Sequence, residues 1–164
     1  MATLNEKILA FARNKKGRKV GRGECWDLAE TALKKAGGKT SHDYGKVTQS
    51  ADYKWGKEIT LGEARAGDIV QYKNFAWRID ITHKDGSTSW REMKYPHHTA
   101  ILESKKGHGM WKVLEQNING RLVKEHKVYL KNQHYTDEDG DQIKITVKGK
   151  RWIYRPQPRP RRRR

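Results

Sequence analysis

An α+β domain is the fold class the sequence predicts, and three observations predict it. Two segments with helical hydrophobic spacing come first, a long run of strand patterns follows, and the breaks in that run are turn residues rather than further helices. The 164 residues suit one domain, because domains of about 100–150 residues are the commonest size. Residues 1–156 are expected to form it, and residues 157–164 a disordered, Pro/Arg-rich basic tail.

Leu4, Ile8, Phe11 and Ala12 recur at helical spacing with Thr3 or Asn5 as a cap, which predicts a helix near residues 4–14. A glycine-punctuated stretch from Val20 to Gly23 leads into Glu24-Cys25-Trp26-Asp27. Leu28, Ala29, Ala32, Leu33 and Ala36 then mark one face of a second helix, stopped by Gly37-Gly38. Residues 39–66 read as loop with a short helix. Strand signals start after Ala66-Gly67-Asp68 with Ile69 to Tyr72. Trp77 to Ile81 and Ser87 to Lys94 flank the Asp85-Gly86 turn as a hairpin. Thr99 to Glu103, Trp111 to Asn117, Leu122 to Leu130, Ile143 to Val147 and Trp152 to Tyr154 complete the set.

Lys and Arg number 36 against 19 Asp and Glu, a formal charge of +17. Such a surface favours nucleic acid, an acidic cell-wall polymer or an anionic membrane as partner. Six of those charges fall between Arg155 and Arg164, so the basic tail is a possible nucleic-acid tether and the body is basic without it. A single cysteine excludes an internal disulfide and a four-thiolate zinc site. The first residues lack a signal-peptide pattern, and nothing approaches the ~18 apolar residues of a membrane span. The expectation is a monomer synthesised soluble, cytoplasmic by default or released by a non-Sec route.

The remaining thiol has the position of a nucleophile. At the start of a helix, unpaired N–H groups and the helix dipole favour thiolate, and the same N–H groups can receive an oxyanion. Cys25 falls there. The base is expected in Pro96-His97-His98-Thr99-Ala100-Ile101-Leu102, where His98 enters a buried strand and His97 alternates to the other side. The next strand carries Glu115 and Asn117 at period-two spacing, and either can accept the imidazole N–H and fix its tautomer.

These segments resemble the CHAP family of cysteine, histidine-dependent amidohydrolases and peptidases, with NlpC-type peptidases as relatives in the papain-like fold. The resemblance spans most of residues 4–156. It rests on Gly23-Glu24-Cys25-Trp26-Asp27-Leu28, Ala66-Gly67-Asp68-Ile69-Val70-Gln71, His98-Thr99-Ala100-Ile101, Val113-Leu114-Glu115-Gln116-Asn117, Tyr129-Leu130 and Trp152-Ile153-Tyr154-Arg155-Pro156. It implies helices packed on an antiparallel sheet or half-barrel. It also implies thiol-dependent amide cleavage, commonly in peptidoglycan, with Cys25 and His98 catalytic, Glu115 or Asn117 as third member, and no cofactor. Residues 18–23 hold no Gln or Asn to assist an oxyanion, so that role passes to backbone or a cation.

Other features read more plainly. Trp26 borders or underlies the expected site and is the candidate substrate contact. His42, His83, His97, His108, His126 and His134 have no partner readable in sequence and are expected to be solvated or structural. Asp137-Glu138-Asp139-Gly140-Asp141 has its glycine misplaced for an EF-hand and no glutamate closing the loop, and reads as an acidic turn, so no metal site is expected. The rival reading is a basic, non-enzymatic nucleic-acid module or an inactive family member, with Cys25 as core packing.

Overall fold

The computed structural model of the protein describes residues 2–160. Helix α1 (Leu4–Asn14) is capped by the Thr3 hydroxyl, which accepts from the Glu6 N–H at 3.2 Å, and it buries Ile8, Leu9 and Ala12. Helix α2 (Cys25–Ala36) buries Leu28, Ala29, Ala32 and Leu33. It ends where Gly37 turns left-handed at φ 84°.

Seven strands follow: β1 (Lys57–Ile59), β2 (Ile69–Thr82), β3 (Thr88–Gly107), β4 (Met110–Glu115), β5 (Lys124–Tyr129), β6 (Gln133–Thr136) and β7 (Gln142–Arg155). They make one antiparallel sheet in the order β1-β7-β2-β3-β4-β5, with β6 also pairing β7. The expected α+β class, helices packed on a sheet, is therefore corrected. The described residues are mostly antiparallel sheet, with two short α-helices of 11 and 12 residues.

The physical reason is that strands continue through residues that read as breaks. Strand β2 joins the Ile69 and Trp77 segments across a bulge between Lys73 and Ala76, where Asn74 takes φ 47°. Strand β3 runs for 20 residues through Pro96, which lies between the Lys73–His97 and Phe75–Tyr95 pairs and thus opposite that bulge. A proline is tolerated at such a point because the ladder is already interrupted. Strand β7 likewise passes through Gly149, φ 86°, where a Cβ would collide with the Asn74 carbonyl. Strands β1 and β6 escaped the sequence reading because they are short and contain no fully buried residue.

Alternation along the strands feeds two cores. Ile69, Ile101 and Leu114 join Ile8, Leu28 and Leu33 of the helices. Their neighbours Val70, Ala100, Leu102 and Val113 join Tyr72, Trp111, Val128 and Ile153 in the second. Where the sequence predicts a loose tail from residue 157, the Lys39 N–H donates to the Gln157 carbonyl at 2.8 Å and the Arg159 N–H to the Gly37 carbonyl at 3.0 Å. Arg159 also pairs with Asp43. The four terminal arginines of that tail lie outside the described residues. No described helix is long and apolar enough to cross a membrane.

Candidate active site

Cys25 is the first residue of α2 and is partly buried. The loop before it is held from two sides. The Val20 N–H donates to Gln116 Oε1 at 2.8 Å, and Gln116 Nε2 donates to the carbonyls of Val20 and Glu24 at 3.0 and 2.8 Å. The Asp27 carboxylate accepts from the N–H groups of Arg22 and Glu24 at 3.2 and 3.1 Å. Gly21, φ 59°, lies so close to Asp27 that a Cβ would sit 2.8 Å from its side chain. The start of the helix is thereby fixed in place.

The sheet supplies the partners through its register. Glu115 closes β4 opposite Ala100, two residues from His98 along β3. On the other side, His126 of β5 sits opposite Val113, two residues from Glu115. Diagonal neighbours of this kind are within reach of long side chains. His98 Nε2 lies 2.9 Å from Glu115 Oε2, and His126 Nδ1 lies 3.0 Å from Glu115 Oε1. The carboxylate, 1% exposed, is thus held between two imidazoles.

With Nε2 engaged by Glu115, His98 has its other ring nitrogen left, and the imidazole and the Cys25 thiol are near enough for each to shift the titration of the other. The imidazole stacks near-parallel with Tyr95 and Tyr72, at centroid distances of 5.5 and 5.9 Å and interplanar angles of 18° and 10°. Those rings restrict its rotation.

Electrostatics favour charge separation. Burial raises the Cys25 thiol, but the hydrogen bond and charge of His98, helped by Thr99, outweigh it and hold the thiol below its ordinary value. Burial lowers the His98 imidazole, yet bonds and charges from Cys25 and Glu115 win and push it up to about 9. Burial also raises Glu115, but the two histidines prevail and keep it below the usual carboxylate range. These shifts move the site toward a thiolate beside an imidazolium backed by a carboxylate.

Cys25 and His98 open into a cleft of about 790 Å³ that is also lined by Trp26, Tyr53, Arg22 and Lys94. Asn117 is on the cleft wall but not on the imidazole. Strand β4 stops at Glu115, and Asn117 takes φ 70°, so the period-two extrapolation ends before it. Its Nδ2 donates to Glu24 Oε2 at 3.0 Å instead. Trp26 donates from Nε1 to Ser41 Oγ at 3.0 Å and stands edge-on to His42.

Sequence reasoning missed His126 and Gln116. His126 carries no signal until the β4–β5 register is known. Gln116 lay between two candidates, and its burial was the missing clue. Of the remaining histidines, His97 meets the Ala51 carbonyl and Tyr53, while His83 bridges Asp141 and Ser89. Asp137 accepts the N–H groups of Asp139 and Asp141 in the turn between β6 and β7. Among the described residues, no cluster of three or more His, Cys, Asp or Glu is arranged to hold a metal ion.

A mostly antiparallel sheet, a helix beginning at a cysteine and a histidine–carboxylate pair facing it define a domain of cysteine-proteinase type. The chain belongs to the AIM3/BBC1 cysteine proteinase-fold domain family, which matches residues 1–161. It is 35% identical over 140 residues to Altered inheritance of mitochondria protein 3 of Debaryomyces hansenii, an alignment covering 77% of this chain and 14% of that protein. The chain therefore spans about a seventh of the curated relative it matches. No solved structure matches it. The papain-like reading is supported by this family; a CHAP or NlpC-type identity, amidase activity and peptidoglycan as substrate are not.

Proposed function

We propose that the domain is a cysteine hydrolase of peptide amides, with Cys25 as nucleophile, His98 as base and Glu115 as the residue that positions His98. The observation that carries this reading is a helix-start thiol and an imidazole on one cleft, with a doubly bonded, buried carboxylate behind the imidazole.

Cys25 thiolate attacks the carbonyl carbon of the amide, forming a C–S bond while the carbonyl electrons move onto oxygen. The N–H groups at the start of α2, which lack intrahelical acceptors, face that oxyanion. The tetrahedral species collapses with cleavage of the C–N bond, and the His98 imidazolium gives its proton to the leaving amine. Water then attacks the thioester with His98 as base, releasing a carboxylic acid and restoring the thiolate–imidazolium pair. Glu115 stays ionised throughout and holds the ring. Gln116 keeps the oxyanion loop in register, and Trp26 borders the substrate.

The charge of +17 supports an anionic target. The measurement that tests the reading is alkylation of Cys25 by iodoacetamide across pH, followed by mass spectrometry, beside cleavage of a peptide library. Expected are fast labelling with an apparent pKa below the free-thiol value of about 8.5, and loss of cleavage in Cys25→Ala with the fold retained. An unshifted, sluggish thiol sinks it. Steeply salt-dependent nucleic-acid binding together with such a thiol would point to the basic binding module instead.

A further inference from the structure

The cleft beside Cys25 is unevenly charged. Three cationic side chains line it, Arg22, Lys94 and Arg121, against one carboxylate, Glu24. That carboxylate is already satisfied: Arg121 Nη1 donates to Glu24 Oε1 at 2.9 Å and Asn117 Nδ2 to Oε2 at 3.0 Å. Arg121 is tied down further by donating to the Arg22 carbonyl at 3.0 Å.

The other two cations are much less engaged. The Arg22 side chain is 79% exposed, and its approach to an acid is a 4.0 Å separation from an Asp27 oxygen that already accepts two backbone N–H groups. Lys94 is 75% exposed, 3.5 Å from the partly exposed Glu92, a pair of the kind that contributes little. Arg22 comes from the loop three residues before the nucleophile and Lys94 from β3 four residues before the base. Both elements of the candidate catalytic pair thus carry a weakly engaged, exposed cation to the same cleft.

We infer that the cleft selects peptides carrying a carboxylate side chain close to the scissile amide, which Arg22 and Lys94 receive. The inference rests on the proposed thiol chemistry and adds the substrate class. Guanidinium suits a carboxylate because it presents two parallel N–H donors.

The test uses two alkylating probes of almost equal size, neutral iodoacetamide and anionic iodoacetate. Each forms a C–S bond with the Cys25 thiolate and expels iodide. In Arg22→Glu/Lys94→Glu the iodoacetate rate is expected to fall about tenfold more than the iodoacetamide rate. The neutral pair Arg22→Gln/Lys94→Gln gives a smaller drop in the same direction and serves if charge reversal unsettles the loop before α2. Lys105→Glu/Lys106→Glu, exposed on β3 and absent from the cleft wall, changes net charge equally and should leave the ratio of the two rates within about twofold, which separates a local effect from the field of the whole protein. Tetraglutamate should slow iodoacetamide labelling of the parent chain, and tetralysine should not. If iodoacetamide reacts fast but the ratio is the same in all variants, acidic-peptide selection is overturned while the nucleophile stands. If both probes are slow in the parent chain, the nucleophile fails first and the substrate class with it.

Discussion

The two ends of the β2–β3 ladder share one backbone pairing and little else. At the base, Ile69 to Tyr72 lie against His98 to Ile101 with side chains buried on both faces. At the tip, Ile79 to Thr82 lie against Thr88 to Arg91 with side chains half-buried or exposed. Trp90, 60% exposed, is covered there by the Arg78 guanidinium at 4.3 Å. The tip ion pair Arg78–Asp80 stays in water, where such pairs contribute about 0–1 kcal/mol. The base pair His98–Glu115 is dry. Hydrogen bonding sets the strands in the same way at both ends; desolvation decides where a charge matters.

That contrast is sharpest at Glu115. Glu115→Ala should leave two imidazoles facing an empty, dry site and cost on the order of 3–5 kcal/mol in urea unfolding. It should also return the Cys25 alkylation profile toward an ordinary thiol. A loss under about 1 kcal/mol would mean that water reaches the base of the ladder as it does the tip.

The pH dependence has a definite sign. His98 is pushed up to about 9 from 6.5, so the folded state holds its proton more tightly than the unfolded chain. Stability from this group is complete below about 6.5 and is lost as pH rises through about 9. Unfolding midpoints should therefore decline across that window in the parent chain, and His98→Gln should flatten the decline. In Cys25→Ala the imidazole loses one of the partners that raise it, so its titration, followed by NMR, should move down.

Smaller effects are expected away from the sulfur. His126→Gln, which weakens one of two bonds to Glu115, should cost about 1 kcal/mol and lower the alkylation rate less than any change at Glu115. Asn117→Ala should change stability by under 1 kcal/mol and leave the apparent thiol pKa unmoved, because its partner is Glu24 rather than His98. Smallest of all, Trp90→Ala at the tip should cost under about 1 kcal/mol and leave labelling of Cys25 unaltered. A large loss there would erase the difference between the two ends.

Much of the site is local in origin and could be read from the chain. Helical spacing after Cys25, the glycines before it and the buried run after His98 are short-range signals. Glu115 was readable as one of two candidates, and the choice between them depended on where β4 ends. The balance of helix and sheet was misjudged for a related reason: Asn74, Pro96 and Gly149 look like breaks one at a time, yet they meet across neighbouring strands at a single irregularity and the strands run on.

Short-range pattern was enough for a helix opening on the lone thiol, a histidine on a buried strand and a strongly basic surface, because periodicity and composition are properties of neighbours along the chain. Long-range packing was needed to set Glu115 between His98 and His126, to turn Asn117 away to Glu24, and to bring Arg22 and Lys94 to one cleft. Period two assigns a side chain to a face of its strand. The offset between strands is set by bulges and by long-range burial on both faces of the sheet, and that offset is what brings imidazole and carboxylate together.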